Sequence, residues 1–116
     1  MISKRDRASL LDINKAILNI LDYTAGYSQE QFYADSKTQS SVLYQITIIG
    51  EATKRLSPTI RQQYPQIPWQ LMAGMRDKLV HDYDDLDLER IWMTIDQAVP
   101  ELLQNITPIL NTLPPL

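Results

Sequence analysis

From Leu10 onward apolar residues return every three or four positions, and that spacing constrains the fold more than any other feature of the chain. Leu10, Ile13, Ile17, Ile20 and Leu21 share one stripe of a helix expected over about Arg5 to Ala25. Gly26 follows as the residue that takes a positive φ at the helix end. Residues 27–35 read as a connector with about one helical turn capped by Ser28. A second long helix is expected from an N-cap at Ser36 through Val42, Ile46, Ile49 and Leu56. Ser57-Pro58 ends it, because proline disfavours the helical conformation in the residue before it. Residues 58–64 form a short helix, closed by Pro65. Pro68 suits the first turn of a third helix carrying Trp69, Leu71, Met72, Met75, Leu79 and Val80. Asp87 caps a fourth, with Ile91, Trp92, Ile95 and Val99 inward. Pro100 marks a start or kink, Pro108 a second kink, and Leu102, Leu103, Ile106, Ile109 and Leu110 continue the stripe until Pro114-Pro115. Period-two alternation and hairpin turn pairs are not evident. The expected fold is all-α, an up-and-down bundle of four to five helices.

With 116 residues the chain is the size of one domain, 1–116. It is small enough that a partner subunit would add useful burial. The net charge of −3 argues against coating nucleic acid by bulk charge, though not against a local basic site. Cysteine is absent, which removes disulfides, thiolate metal sites and cysteine nucleophiles. No apolar run approaches the roughly 18 residues of a membrane span, and the first residues lack a signal-peptide core. A cytoplasmic location and no membrane association are the expectations.

His81 is the one histidine, so a zinc site within one chain is not expected, and no glycine loop of a nucleotide-binding type occurs. No cofactor is expected. Arg76, His81 and Tyr83 remain as chemistry-bearing residues. Arginine is a fixed-charge fork for phosphate, histidine moves protons near neutral pH, and tyrosine holds an oxygen or stacks on a base. On a continuous helix Arg76 and Tyr83 share a face, and Asp77 lies four before His81, where it would orient the imidazole. Arg76 and His81 lie about 140° apart on such a helix. They converge only if the helix ends near His81 or a second subunit completes the site. Glu51, Lys54 and Arg55 are expected on the exposed face of the second helix, with Glu51 able to reach Arg76 across the bundle. The five acids within 82–89 read as a solvated loop and a negative first helical turn. The two tryptophans read as core or interface packing.

The segment IPWQLMAGMRDKLVHDYDDLD (67–87) resembles the signature of the HepT-like branch of the HEPN superfamily: arginine, four residues, histidine, one residue, tyrosine. IIGEATKRL (48–56) and LDLERIWMTI (86–95) are similar to its flanking segments. The resemblance implies an all-helical HEPN-like bundle that forms a homodimer with the motif near the cleft between subunits. It implies a metal-independent endoribonuclease, the toxin of a bacterial toxin–antitoxin pair, acting on RNA. It implies an MNT-type nucleotidyltransferase antitoxin that transfers AMP onto the motif tyrosine, here Tyr83. Arg76 and His81 would be catalytic, with one His81 from each subunit serving as base and acid. A rival expectation is a non-catalytic helical adaptor, the binding partner and modification substrate of a nucleotidyltransferase. A third is a plain helical homodimer tied by the same polar residues.

Overall fold

A computed structural model describes residues 2–82 and 85–113, without the side chains of His81 and Asp82. Seven α-helical segments occur among the described residues: α1 (Lys4–Tyr23), α2 (Gln29–Tyr33), α3 (Ser36–Lys54), α4 (Pro58–Gln63), α5 (Trp69–Ala73), α6 (Leu88–Met93) and α7 (Val99–Leu110). The all-α class is as expected. α1 lies between α3 and α7; in its stripe Leu10, Ile13, Ile17 and Ile20 are wholly buried and Leu21 is half-buried. Val42, Ile46 and Ile49 of α3 meet it on one side, and Val99, Leu102, Ile106 and Ile109 of α7 contribute to the same continuous core. Phe32 of α2 closes one end, fully buried, its ring centroid 5.7 Å from that of Trp92.

Local chemistry sets the ends of these helices. Ser3 accepts the Asp6 backbone N–H at 3.1 Å to begin α1. Gly26 has φ 78°, the left-handed value expected of it after α1. Ser28 and Gln31 form a reciprocal capping box on α2. The cap of α3 is Asp35, one residue before the expected Ser36. Its carboxylate accepts the Thr38 N–H at 3.0 Å, the Thr38 hydroxyl at 2.7 Å and the Tyr27 hydroxyl at 2.7 Å. Those donors, Thr38 first, hold Asp35 well below the usual carboxylate range, at about 2. Serine could not accept so many bonds, so the carboxylate takes the cap. Ser57 caps α4 ahead of Pro58, and Asp6 in turn accepts the Ser57 N–H at 2.9 Å and its hydroxyl at 2.5 Å. One buried carboxylate thus ties the start of α1 to the start of α4.

Two expectations need correction. The third helix does not run to Val80: α5 stops at Ala73, Gly74 caps it, and Arg76–Lys78 form a 3-10 turn. Glycine weakens a helix interior by about 1 kcal/mol relative to alanine, which favours an exit at this point. The chain then enters a short antiparallel hairpin, β1 (Val80–Asp82) with β2 (Asp85–Leu86), where no strand was expected. The Asp87 N–H donates to the Leu79 carbonyl at 2.9 Å and closes its base. Asp87 then caps α6 as expected, accepting the Arg90 N–H at 3.1 Å. Between α6 and α7, Thr94–Ala98 form a π-helix. Pro100, two residues beyond it, has no N–H to give to the α ladder, so the wider turn precedes a missing donor.

Candidate functional site

Gly50 is the floor of the site. It sits inside α3, and a Cβ at this position would lie 3.2 Å from the Ala73 carbonyl oxygen and 3.6 Å from that of Met72. The end of α5 therefore rests directly on the α3 backbone. This contact places the turn that follows α5 beside the exposed edge of α3. A concavity of about 330 Å³ results, lined by Thr47, Gly50, Glu51 and Lys54 from α3 and by Ala73, Arg76 and Asp77 from the other side.

Arg76 and Asp77 are exposed on the 3-10 turn, while Met75 and Leu79 on either side are buried and anchor it. Arg76, Asp77 and Glu51 therefore gather around one concavity, although they come from elements 25 residues apart in sequence. Glu51 does not spend its carboxylate on Arg76. Its ion pair is with Lys54, at 3.4 Å, and both side chains are more than half exposed. An exposed pair of this kind contributes about 0–1 kcal/mol, so either partner exchanges readily for another.

The backbone of His81 lies in β1, three residues beyond the 3-10 turn. Its side chain, and Tyr83 altogether, lie outside the described residues. The helical geometry expected for these residues does not arise. Because the chain leaves the helical path before Val80, Asp77 and His81 are not one turn apart on a shared helix face. The approach of His81 to Arg76 is a matter of how the hairpin folds over the turn. Among the described residues, no three His, Asp or Glu side chains are grouped as metal ligands would be.

Sequence reasoning did not single out Gly50, and it treated Lys54 only as an exposed residue. A lone glycine inside a strongly helical pattern is a signal of close backbone approach, and Gly50 carries that signal. For Lys54 the exposure is as expected, and only the packing of α5 shows what the residue faces.

The family model described as "Ribonuclease HepT-like" matches residues 13–109 of the chain. A protein of Methanocaldococcus jannaschii provisionally named as an RNase is 38% identical over 111 residues, 96% of this chain and 92% of the relative. A Thermococcus cleftensis protein named as a probable ribonuclease HepT is 41% identical over 93 residues, 80% of this chain and 84% of the relative. A Caldanaerobacter subterraneus protein provisionally named as an RNase is 36% identical over 92 residues, 79% of this chain and 82% of the relative. No solved structure matches the chain. On the extent of the family match and on these identities, the chain belongs to the ribonuclease HepT-like family of the HEPN superfamily.

Proposed function

We propose that this protein is a metal-independent endoribonuclease that works as a homodimer and serves as the toxin of a HEPN/MNT pair. The observation that carries the reading is the exposed Arg76 on the turn that follows the end of α5 packed on Gly50, in a chain that continues at once into the strand bearing His81. Family membership and the ribonuclease names of the relatives support it.

The chemistry follows from the residue types. A base removes the proton of an RNA 2′-hydroxyl, and the oxygen attacks the adjacent phosphorus. The bond to the 5′-oxygen breaks, an acid returns a proton to that oxygen, and a 2′,3′-cyclic phosphate remains. One histidine supplies one of these roles, so two copies of His81 across a dimer cleft supply both. Arg76 stabilises the charge that builds on the phosphorane-like transition state, where a two-pronged donor matches the phosphate oxygens. Asp77 and Glu51 border the arginine and act as its supporting residues. Tyr83 positions the substrate and is the acceptor of AMP. Its hydroxyl oxygen attacks the α-phosphorus of ATP and pyrophosphate leaves. The added bulk and negative charge then occupy the place of an RNA phosphate. No cofactor is invoked, and the cytoplasm is the compartment of such a pair. No helix among the described residues is long and apolar enough to cross a membrane.

The test is incubation of the unmodified protein, its intact mass confirmed, with cellular RNA in excess chelator beside His81→Ala. Cleavage by the wild type alone is the expected result. Equal cleavage by both would remove His81 from the mechanism. No cleavage by the unmodified dimer would favour the adaptor reading, which the net charge of −3 suits. Tyr83 would then be only a modification site for a nucleotidyltransferase.

A further inference from the structure

The 3-10 turn is a ridge with a hollow on each side. Arg76 and Asp77 border the first, described above. Lys78, on the same turn, borders a second, a cleft of about 400 Å³ between α5 and the α6–α7 helical run. Its apolar surface comes from Leu71, Met75 and Met93, and its charged rim from Lys78, Arg90 and Glu101. Three properties mark it as a binding site. Leu71 and Met93 stand at its edges, each 50% exposed, so large apolar side chains face water where burial would be expected. One wall is the π-helix Thr94–Ala98, a local irregularity that is frequent where helices line ligand sites. Two cations stand against one acid in a chain that is acidic as a whole.

We propose that this cleft seats a nucleotide of single-stranded RNA flanking the scissile phosphate, its base against Leu71, Met75 and Met93 and its phosphate against Lys78 and Arg90. The inference rests on the ribonuclease reading and adds a subsite to it. An occupant with a flat apolar part and an attached anion fits an apolar floor with a basic rim. The size argues the same way. The cleft lies within the roughly 300–1,000 Å³ of small-ligand sites. Position completes the argument, because Arg76 and Lys78 are carried by one short turn flanked by the buried Met75 and Leu79. A strand whose phosphate meets Arg76 crosses the ridge into the cleft. Arg90 is 3.6 Å from the partly buried Asp87, but its own side chain is 62% exposed, so a phosphate can share the guanidinium with that carboxylate.

Short uniform-sequence 2′-O-methyl oligonucleotides test this, because they lack the attacking hydroxyl and report binding without cleavage. Fluorescence anisotropy would compare a base-bearing oligonucleotide with an abasic one of equal length. Leu71→Asp and Met93→Asp alter exposed residues and should leave the thermal midpoint in place. Each is expected to weaken the base-bearing oligonucleotide at least tenfold and to erase its advantage over the abasic one. Lys78→Ala is expected to weaken both about fivefold and to reduce the salt slope by about 0.7, the loss of one phosphate contact on a single strand. Lys37→Ala, exposed at the first turn of α3, should change nothing. RNA binding that depends on Arg76 but ignores Leu71→Asp, Met93→Asp and Lys78→Ala would overturn the cleft and leave the ribonuclease reading intact. No binding by the wild type would overturn both.

Discussion

Gly50 couples stability to the site, and substitution there separates the two. In Gly50→Ala the new methyl lies 3.2 Å from the Ala73 carbonyl oxygen, so α5 must retreat by a few tenths of an ångström. Replacing a helix-interior glycine by alanine gains about 1 kcal/mol of helix propensity. Overpacking costs about 1–3 kcal/mol, and a single methyl with a small displacement falls at the low end. The two nearly cancel, and the thermal midpoint should stay within about 4 °C of wild type. Gly50→Val places two further methyls near the same carbonyls and gains less propensity. A net loss of about 2–3 kcal/mol is expected. With an unfolding entropy of about 0.24 kcal/mol/K for a chain of this length, that lowers the midpoint by about 10 °C. Activity should respond differently. The retreat of α5 carries Arg76 with it, and misplacement by about 1 Å costs a reaction about a hundredfold. Gly50→Ala should therefore lose about three- to tenfold in RNA cleavage at unchanged stability. Thermal unfolding by circular dichroism and initial cleavage rates well below the midpoint read the two effects. A Gly50→Val protein as stable as wild type would refute the close contact. A Gly50→Ala protein with wild-type cleavage would refute the coupling of that contact to Arg76.

Other outcomes follow from particular contacts. Asp6→Ala removes two hydrogen bonds to a buried carboxylate, and at about 1.5–3 kcal/mol each with imperfect additivity the loss should be about 3 kcal/mol, seen as a midpoint lowered by about 12 °C. Arg76→Lys keeps the charge and loses the fork. Cleavage should fall about 10- to 100-fold with unchanged stability, and wild-type rates would show that a point charge suffices. Asp35 has a folded pKa of about 2, below its ordinary 3.8, so its contribution is fully present above about pH 4 and is lost as pH falls through 2. Urea titrations from pH 5 to 2 should show this slope in the wild type and a shallower one in Asp35→Ala.

The long helices were legible because burial in them follows a strict period. Of the Leu10, Ile13, Ile17, Ile20 and Leu21 stripe the first four are buried and Leu21 is half-buried, and Ser28 and Asp87 cap as their side chains allow. Asp35 took the place expected of Ser36 because Tyr27, distant in the local pattern, adds a donor that favours a carboxylate. The segment after Ala73 was not legible for a related reason. Met75 and Leu79 are four apart and suit a helix, yet both are buried by a 3-10 turn leading into a hairpin. Apolar spacing over one turn cannot distinguish these conformations, and the contact that decides between them, Gly50 under Ala73, joins distant elements. Of the candidate site, the residue types at Arg76, Asp77 and Glu51 could be read in advance, but the turn that bears Arg76 could not. The concavity that gathers Arg76 with Glu51, Asp77 and Lys54 could not, because it exists only once α5 lies on α3.

The central position of α1 has a consequence during synthesis. Its apolar stripe emerges first, but one of its two covering helices, α7, emerges last. At about 5–20 residues per second, roughly 4–17 s separate the end of α1 from the end of α7. Throughout that interval the nascent chain exposes isoleucine and leucine side chains that only the final helix can cover. The same ordering delays any activity that depends on the folded core until α7 has emerged. A ribosome stalled before α7 would hold a chaperone client rather than a folded domain.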